Sequence, residues 1–173
     1  MSAQDSVAHP RFAEALRALG LDVEVRRFPD ATRTAAEAAA AIGCDISEIV
    51  KSLVFEADGV PVIVLMDGSS RVDVERVRLE LGAEKVKRAG AELVRETTGY
   101  AIGGVPPFGH VRLPQALKEQ GGTPIRVLAD RALLDHDVVW AAAGTPHTVF
   151  PLDPKTLIGH AGGALVDVRE RTA

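Results

Sequence analysis

Among the residues able to do chemistry, Lys51 stands out. It lies in the β-rich run Val50-Lys-Ser-Leu-Val-Phe55, where strand alternation puts it on the same face as Leu53 and Phe55. Lysine is rarely buried without a partner. Two readings of it are open. Its stem could lie along apolar surface and carry the ammonium to water. Alternatively, the cation could be held at a pocket rim, where it can meet an anion or a polarised carbonyl. Two loops join it as candidates. Ala101-Ile-Gly-Gly-Val-Pro-Pro-Phe-Gly-His110 gathers three glycines and two prolines with a phenylalanine and a histidine. Glycine leaves bare backbone for close approach, and proline fixes φ, so the loop is stiff and shaped by its main chain. Ala143-Gly144-Thr-Pro-His147-Thr148 is a second loop of this kind, following a run that contains Trp140. A lone histidine in such a loop is more often structural than catalytic. Two shaped loops and one inward lysine imply a pocket without naming its ligand.

Conventional catalytic signatures are absent. There is no Gly-x-Ser-x-Gly elbow, no His-Glu-x-x-His and no Gly-rich loop ending in Lys-Ser/Thr. The five histidines have no metal-ligand spacing, and Cys44 is the single cysteine. Cys44 follows Gly43 between two helical patterns and fits a small, half-buried residue better than a nucleophile. No metal and no cofactor is expected.

The elements that must position these residues alternate between helix and strand. Phe12, Leu16 and Leu19 give helical spacing closed by Gly20, and Leu21–Phe28 alternates as a strand. Thr34-Ala-Ala-Glu37 has the form of a capping box and opens an alanine-rich helix ending at Gly43; Asp45-Ile-Ser-Glu48 repeats it over a short second helix. Lys51–Ala57 and Val60–Met66 are strands joined by Asp58-Gly59, a strong hairpin signal. Asp73 caps a helix stopping at Gly82, Val86 lies in a short strand, and Ala91–Thr97 forms another helix. Strands are expected over 125–129, 138–142, 148–152 and 164–168, with a helix from Asp153 through Ile158. Hairpins mixed with helices predict an α+β fold over 1–173, one compact domain with no repeat or linker.

Bulk properties narrow the partners. With 173 residues and 46% hydrophobic content, the chain can bury one core. A net charge of −4 disfavours a general duplex-DNA binder, which needs many phosphate contacts. The lone cysteine fits a reducing compartment. The segment MSAQDSVAHPRF has no basic stretch followed by an apolar run, and no apolar run approaches the roughly 18–20 residues that span a membrane. A cytoplasmic protein with no membrane partner is expected. Arg71, Arg76, Arg78, Lys85, Lys87 and Arg88 nevertheless form a locally basic stretch.

In order along the chain, Thr34-Ala-Ala-Glu37-Ala-Ala, Ile49-Val-Lys51-Ser-Leu-Val-Phe55, Arg71-Val-Asp73, Thr98-Gly99-Tyr100 and Gly103-Gly104-Val105-Pro106-Pro107-Phe108-Gly109 resemble the YbaK-type aminoacyl-tRNA deacylases. These are relatives of the editing domain of bacterial prolyl-tRNA synthetases. The likeness runs from about Thr34 to about Gly159, with Gly144 on the last loop. It implies a mixed, partly barrel-like β-sheet flanked by helices. It also implies that Lys51 is the family's essential pocket lysine. Thr34, Ser52 and the Gly103-Gly104-Val105-Pro106-Pro107 loop would hold the 3′-terminal aminoacyl-adenosine, with Gly144 and His147 on the facing loop. On this basis Gly104→Val should cost activity more than stability.

The implied function is hydrolysis in trans of a mischarged aminoacyl-tRNA carrying a small amino acid such as cysteine or alanine. The acceptor end would be the partner, with an aminoacyl-tRNA synthetase as a possible second one. The sequence Gly144-Thr-Pro-His147 departs from the cysteine-specific members, which leaves the amino acid open. A non-catalytic aminoacyl-tRNA-binding or synthetase-binding module and an unrelated small-molecule esterase are the alternatives. Retention of Lys51 disfavours the first, and the missing Ser-His-Asp order disfavours the second.

Overall fold

A computed structural model describes residues 8–28, 34–110 and 125–171. Its first helix, α1 (Pro10–Ala18), is capped by His9, whose Nδ1 accepts from the Arg11 N–H at 3.1 Å, and it buries Phe12, Ala13 and Leu16. The segment expected as a strand over Leu21–Phe28 pairs only at β1 (Arg26–Arg27). Val25 is buried and Leu21 and Val23 pack on the core, so the alternation reports burial. Only Arg26 and Arg27 find a neighbouring strand, opposite Val149 and Thr148.

Local signals set the next elements. Thr34 Oγ1 accepts from the Glu37 N–H and starts α2 (Ala35–Ile42), which Gly43 ends in the left-handed conformation. The Asp45–Glu48 capping box holds one 3-10 turn (Ile46–Glu48), shorter than the helix expected, because the chain is already extended at Ile49. Strands β2 (Val50–Ala57) and β3 (Val60–Asp67) then form a hairpin. Asp58 and Gly59 at its tip both have positive φ, the backbone a two-residue I′ turn requires. Asp73 caps α3 (Val74–Leu81), followed by β4 (Val86–Arg88) and α4 (Ala91–Thr98). Then come β5 (Arg126–Asp130), a 3-10 turn (Arg131–Asp135), β6 (Val139–Ala142) and β7 (Thr148–Leu152). Asp153 caps α5 (Pro154–Ala161), three residues longer than expected, and β8 (Ala164–Val166) ends the sheet.

The strands form two sheets, ordered β4-β2-β3-β5-β8 and β1-β7-β6. The larger is mixed: β2 is antiparallel to β3 and β4, whereas β3–β5 and β5–β8 are parallel. Among the described residues, one isolated parallel bridge, Ile49 to Trp140, joins the sheets. Among the described residues the β-structure therefore curves round without closing into a barrel. Strand parity divides the core. Val50, Val54, Ile63 and Leu65 face the larger cluster with α1, while Phe55, Val62, Val64 and Met66 face a second cluster under α3. Full burial of each such side chain contributes about 1.5–3 kcal/mol.

Candidate active site

Strand β2 is incompletely paired along one edge. Strand β4 covers only Phe55–Ala57, and one further bond, from the Ala89 N–H to the Val54 carbonyl at 3.0 Å, closes that ladder. At the other end Ile49 bridges Trp140. Between Ile49 and Val54 the two sheets part, and a cavity of about 250 Å³ opens in the gap. The Gly68 N–H donates to the Ile49 carbonyl, so odd-numbered residues of β2 bond to β3. By the antiparallel alternation, the backbone N–H and C=O of Ser52 turn toward the gap.

The walls come from four elements. Thr34, Ala35 and Ala38 of α2 and its cap form one, and Val94 of α4 contributes to another. The Gly/Pro loop supplies Ile102, Gly103 and Val105; the facing sheet supplies Trp140, Ala142, Pro146, Thr148 and Val149. Most of these are small or aliphatic. Lys51 and Arg88 bring charge to the lining.

Lys51 is half-buried, and its ammonium donates to the Ser70 carbonyl. Burial pushes its pKa below the ordinary lysine value; the nearby Asp67 opposes this, and Arg88 and Arg71 add to it. Asp67 is 2% exposed. Its Oδ1 accepts from the Ser69 N–H at 3.0 Å and the Ser69 hydroxyl at 2.5 Å, while Oδ2 has no partner among the described residues. Snorkelling into open water is thus not the geometry of Lys51. Its charged end stops at a backbone carbonyl beside the cavity.

Of the residues expected at the site, Thr34, Lys51, Ser52, Gly103 and Val105 line this cavity. Gly104, Pro106, Pro107, Gly144 and His147 do not line it. Pro106 and Pro107 are buried, and the Pro106 carbonyl contacts Nε2 of His110 at 2.7 Å. Gly104 lies against the backbone of Thr145, and a Cβ on Gly144 would collide with His9. The His147 N–H donates to Thr145 Oγ1 at 3.2 Å, and its carbonyl accepts from Phe28 N at 2.7 Å. The Ser52 hydroxyl is buried without a partner among the described residues. Sequence reasoning missed Asp67, which reads as an ordinary polar residue ending a strand, and Ile102, which is 53% exposed at the cavity rim. Cys44 is half-buried against the α2 cluster, and burial followed by the charge of Glu48 pushes its thiol pKa up. Among the described residues, no group of three or more His, Cys, Asp or Glu gathers to hold a metal ion. No helix among them is long and apolar enough to cross a membrane.

Residues 29–159 match the family described as the aminoacyl-tRNA editing domain, and the chain belongs to that family. It is 32% identical to the uncharacterised protein YwhH of Bacillus subtilis (strain 168) over 135 residues, 78% of each chain. It is also 32% identical to the proline–tRNA ligase of Streptococcus sanguinis (strain SK36) over 103 residues, 60% of this chain but only 15% of the ligase. Among solved structures, a candidate trans-editing enzyme for prolyl tRNA synthetase superposes with a TM-score of 0.81 at 37% identity, covering 99% of both chains.

Proposed function

We propose that this domain hydrolyses the ester of a mischarged aminoacyl-tRNA in trans, removing a small amino acid such as cysteine or alanine from tRNA-Pro or another tRNA. The observation that carries this reading is the Lys51 ammonium in the β2 gap, between small aliphatic walls and turned-out backbone. A cation and backbone N–H groups already in place can stabilise the charge that develops on an ester carbonyl oxygen. Aliphatic walls built on rigid loops sieve side chains by size. In the reaction, water adds to the ester carbonyl carbon, the bond to the ribose oxygen breaks, and that oxygen leaves with a proton. Cys44 is no substitute nucleophile, because its thiol pKa is raised and it does not line the cavity.

The likeness to a candidate trans-editing enzyme and to proline–tRNA ligases supports a substrate charged by the prolyl system. It also supports a synthetase as a second partner. One domain over 1–173 working in the cytoplasm, where tRNA is charged, completes the reading. A non-catalytic binding module is the other reading, and the cation held at the cavity favours hydrolysis. Incubation with a panel of mischarged tRNAs tests it. At least one should be deacylated well above the buffer rate; deacylation of none would reject the enzyme.

A further inference from the structure

The basic stretch from Arg71 to Arg88 separates into two groups. Arg76 pairs with Asp73 and Asp167, Arg78 with Glu75, and Lys87 with Glu56. Arg71 and Arg88 are exposed and make no ion pair among the described residues. Both lie beside Lys51. Arg71 follows Ser70, whose carbonyl holds the Lys51 ammonium. Arg88 lines the cavity, sits opposite Phe55 in the β2–β4 ladder, and places its guanidinium 5.8 Å from the centre of the Phe55 ring. Phe55 and Lys51 share a face of β2, four residues apart, or about 13 Å along the strand. Long side chains shorten that span. Lys51 and Arg88 therefore bring two cations to the cavity lining, with Arg71 next to the carbonyl that holds Lys51 and the buried Asp67 as the carboxylate beside it.

Two guanidinium groups with no ion pair among the described residues, one lining the cavity and one next to the carbonyl that holds Lys51, call for an anion. We infer that Arg71 and Arg88 form a phosphodiester-binding site that takes the 5′-phosphate of the terminal nucleotide, leaving Lys51 to the ester. This rests on the aminoacyl-tRNA reading of the cavity. The two groups sit on one ribose, the phosphate at its 5′ side and the ester at its 3′ side, so paired cations beside an ester-facing lysine match a single nucleotide. The planar fork of arginine suits phosphate oxygens bidentately.

The test is a binding titration of the intact protein at about 50 mM salt with adenosine 5′-monophosphate and with adenosine, where phosphate contacts are least screened. The nucleotide should bind at least tenfold more tightly than the nucleoside. Arg88→Gln and Arg71→Gln should each cut that ratio about threefold, and the double variant should bring it near one. Arg88→Lys should keep part of it, and Arg131→Gln, at a residue that does not line the cavity, should keep all of it. Thermal melts establish that each variant is folded. Equal affinities in the wild-type protein, or a ratio that survives the double variant, would overturn the site. Deacylation with no phosphate preference rejects this site alone. A phosphate preference with no deacylation supports the site and counts against hydrolysis.

Discussion

Gly104 lies against Thr145 so closely that a Cβ on the glycine would stand 2.8 Å from the Thr145 Cα and 2.9 Å from its carbonyl carbon. The atoms it would meet are main chain, which cannot swing aside. The two Gly/Pro loops thus touch backbone to backbone, next to Gly103, Val105 and Pro146 of the cavity lining.

Gly104→Ala should therefore lower both stability and activity, the first by about 1–3 kcal/mol of overpacking. That is a fall of roughly 2–4 °C in melting temperature per kcal/mol at this size. The sequence alone leads one to expect Gly104→Val to affect activity more than stability; the contact with Thr145 assigns a cost to both. Gly103→Ala differs. A Cβ there meets only the Pro146 Cβ at 3.8 Å, so its cost is backbone strain at φ +90, on the order of 1–2 kcal/mol. Melts and deacylation rates for the two variants separate these effects.

Tyr100 braces the same loop. Its side chain is 2% exposed and its hydroxyl donates to the Gly109 carbonyl at 2.6 Å. Tyr100→Phe should cost about 1 kcal/mol, through the carbonyl left without that donor. An unchanged melting temperature would show that water replaces the hydroxyl freely.

Acid should loosen the loop through His110. Burial pushes its imidazole pKa below the ordinary 6.5, against a smaller opposing contribution from its contact with Pro106. The unfolded chain then binds the proton more readily than the fold does. Stability is full above about pH 6.5 and falls as the pH drops from there toward the folded value. His9, also shifted down, adds in the same direction. Melting temperature measured from pH 8 to pH 5 should fall, and His110→Gln should flatten the slope. An equal slope in the variant would place the proton elsewhere.

Local chemistry made much of this fold legible from sequence. The caps at Thr34, Asp45, Asp73 and Asp153 and the Asp58-Gly59 turn each depend on residues within one turn of chain, and all are present. The cavity depends on something no local pattern carries: where β4 stops pairing with β2, and where Trp140 meets Ile49 from far along the chain. The same holds for the arginines. Arg76 is engaged by Asp167, so a count of charges from Arg71 to Arg88 cannot show which cations remain unpaired. It also holds for the His147 loop, whose Gly144 packs on His9 across the core.

The most direct test is single-turnover deacylation of the best mischarged tRNA by the wild-type protein and by Lys51→Ala, with thermal melts alongside. Removing one charge that stabilises the transition state costs about 2–4 kcal/mol, so the variant should be roughly 10²–10³ slower. Its melting temperature should hold, because burial disfavours the Lys51 cation in the fold by more than the nearby Asp67 favours it. Lys51→Arg should restore little, since a planar fork does not fit the place of a compact ammonium. Near-wild-type rates in Lys51→Ala would contradict a catalytic role for Lys51 and return it to a structural one.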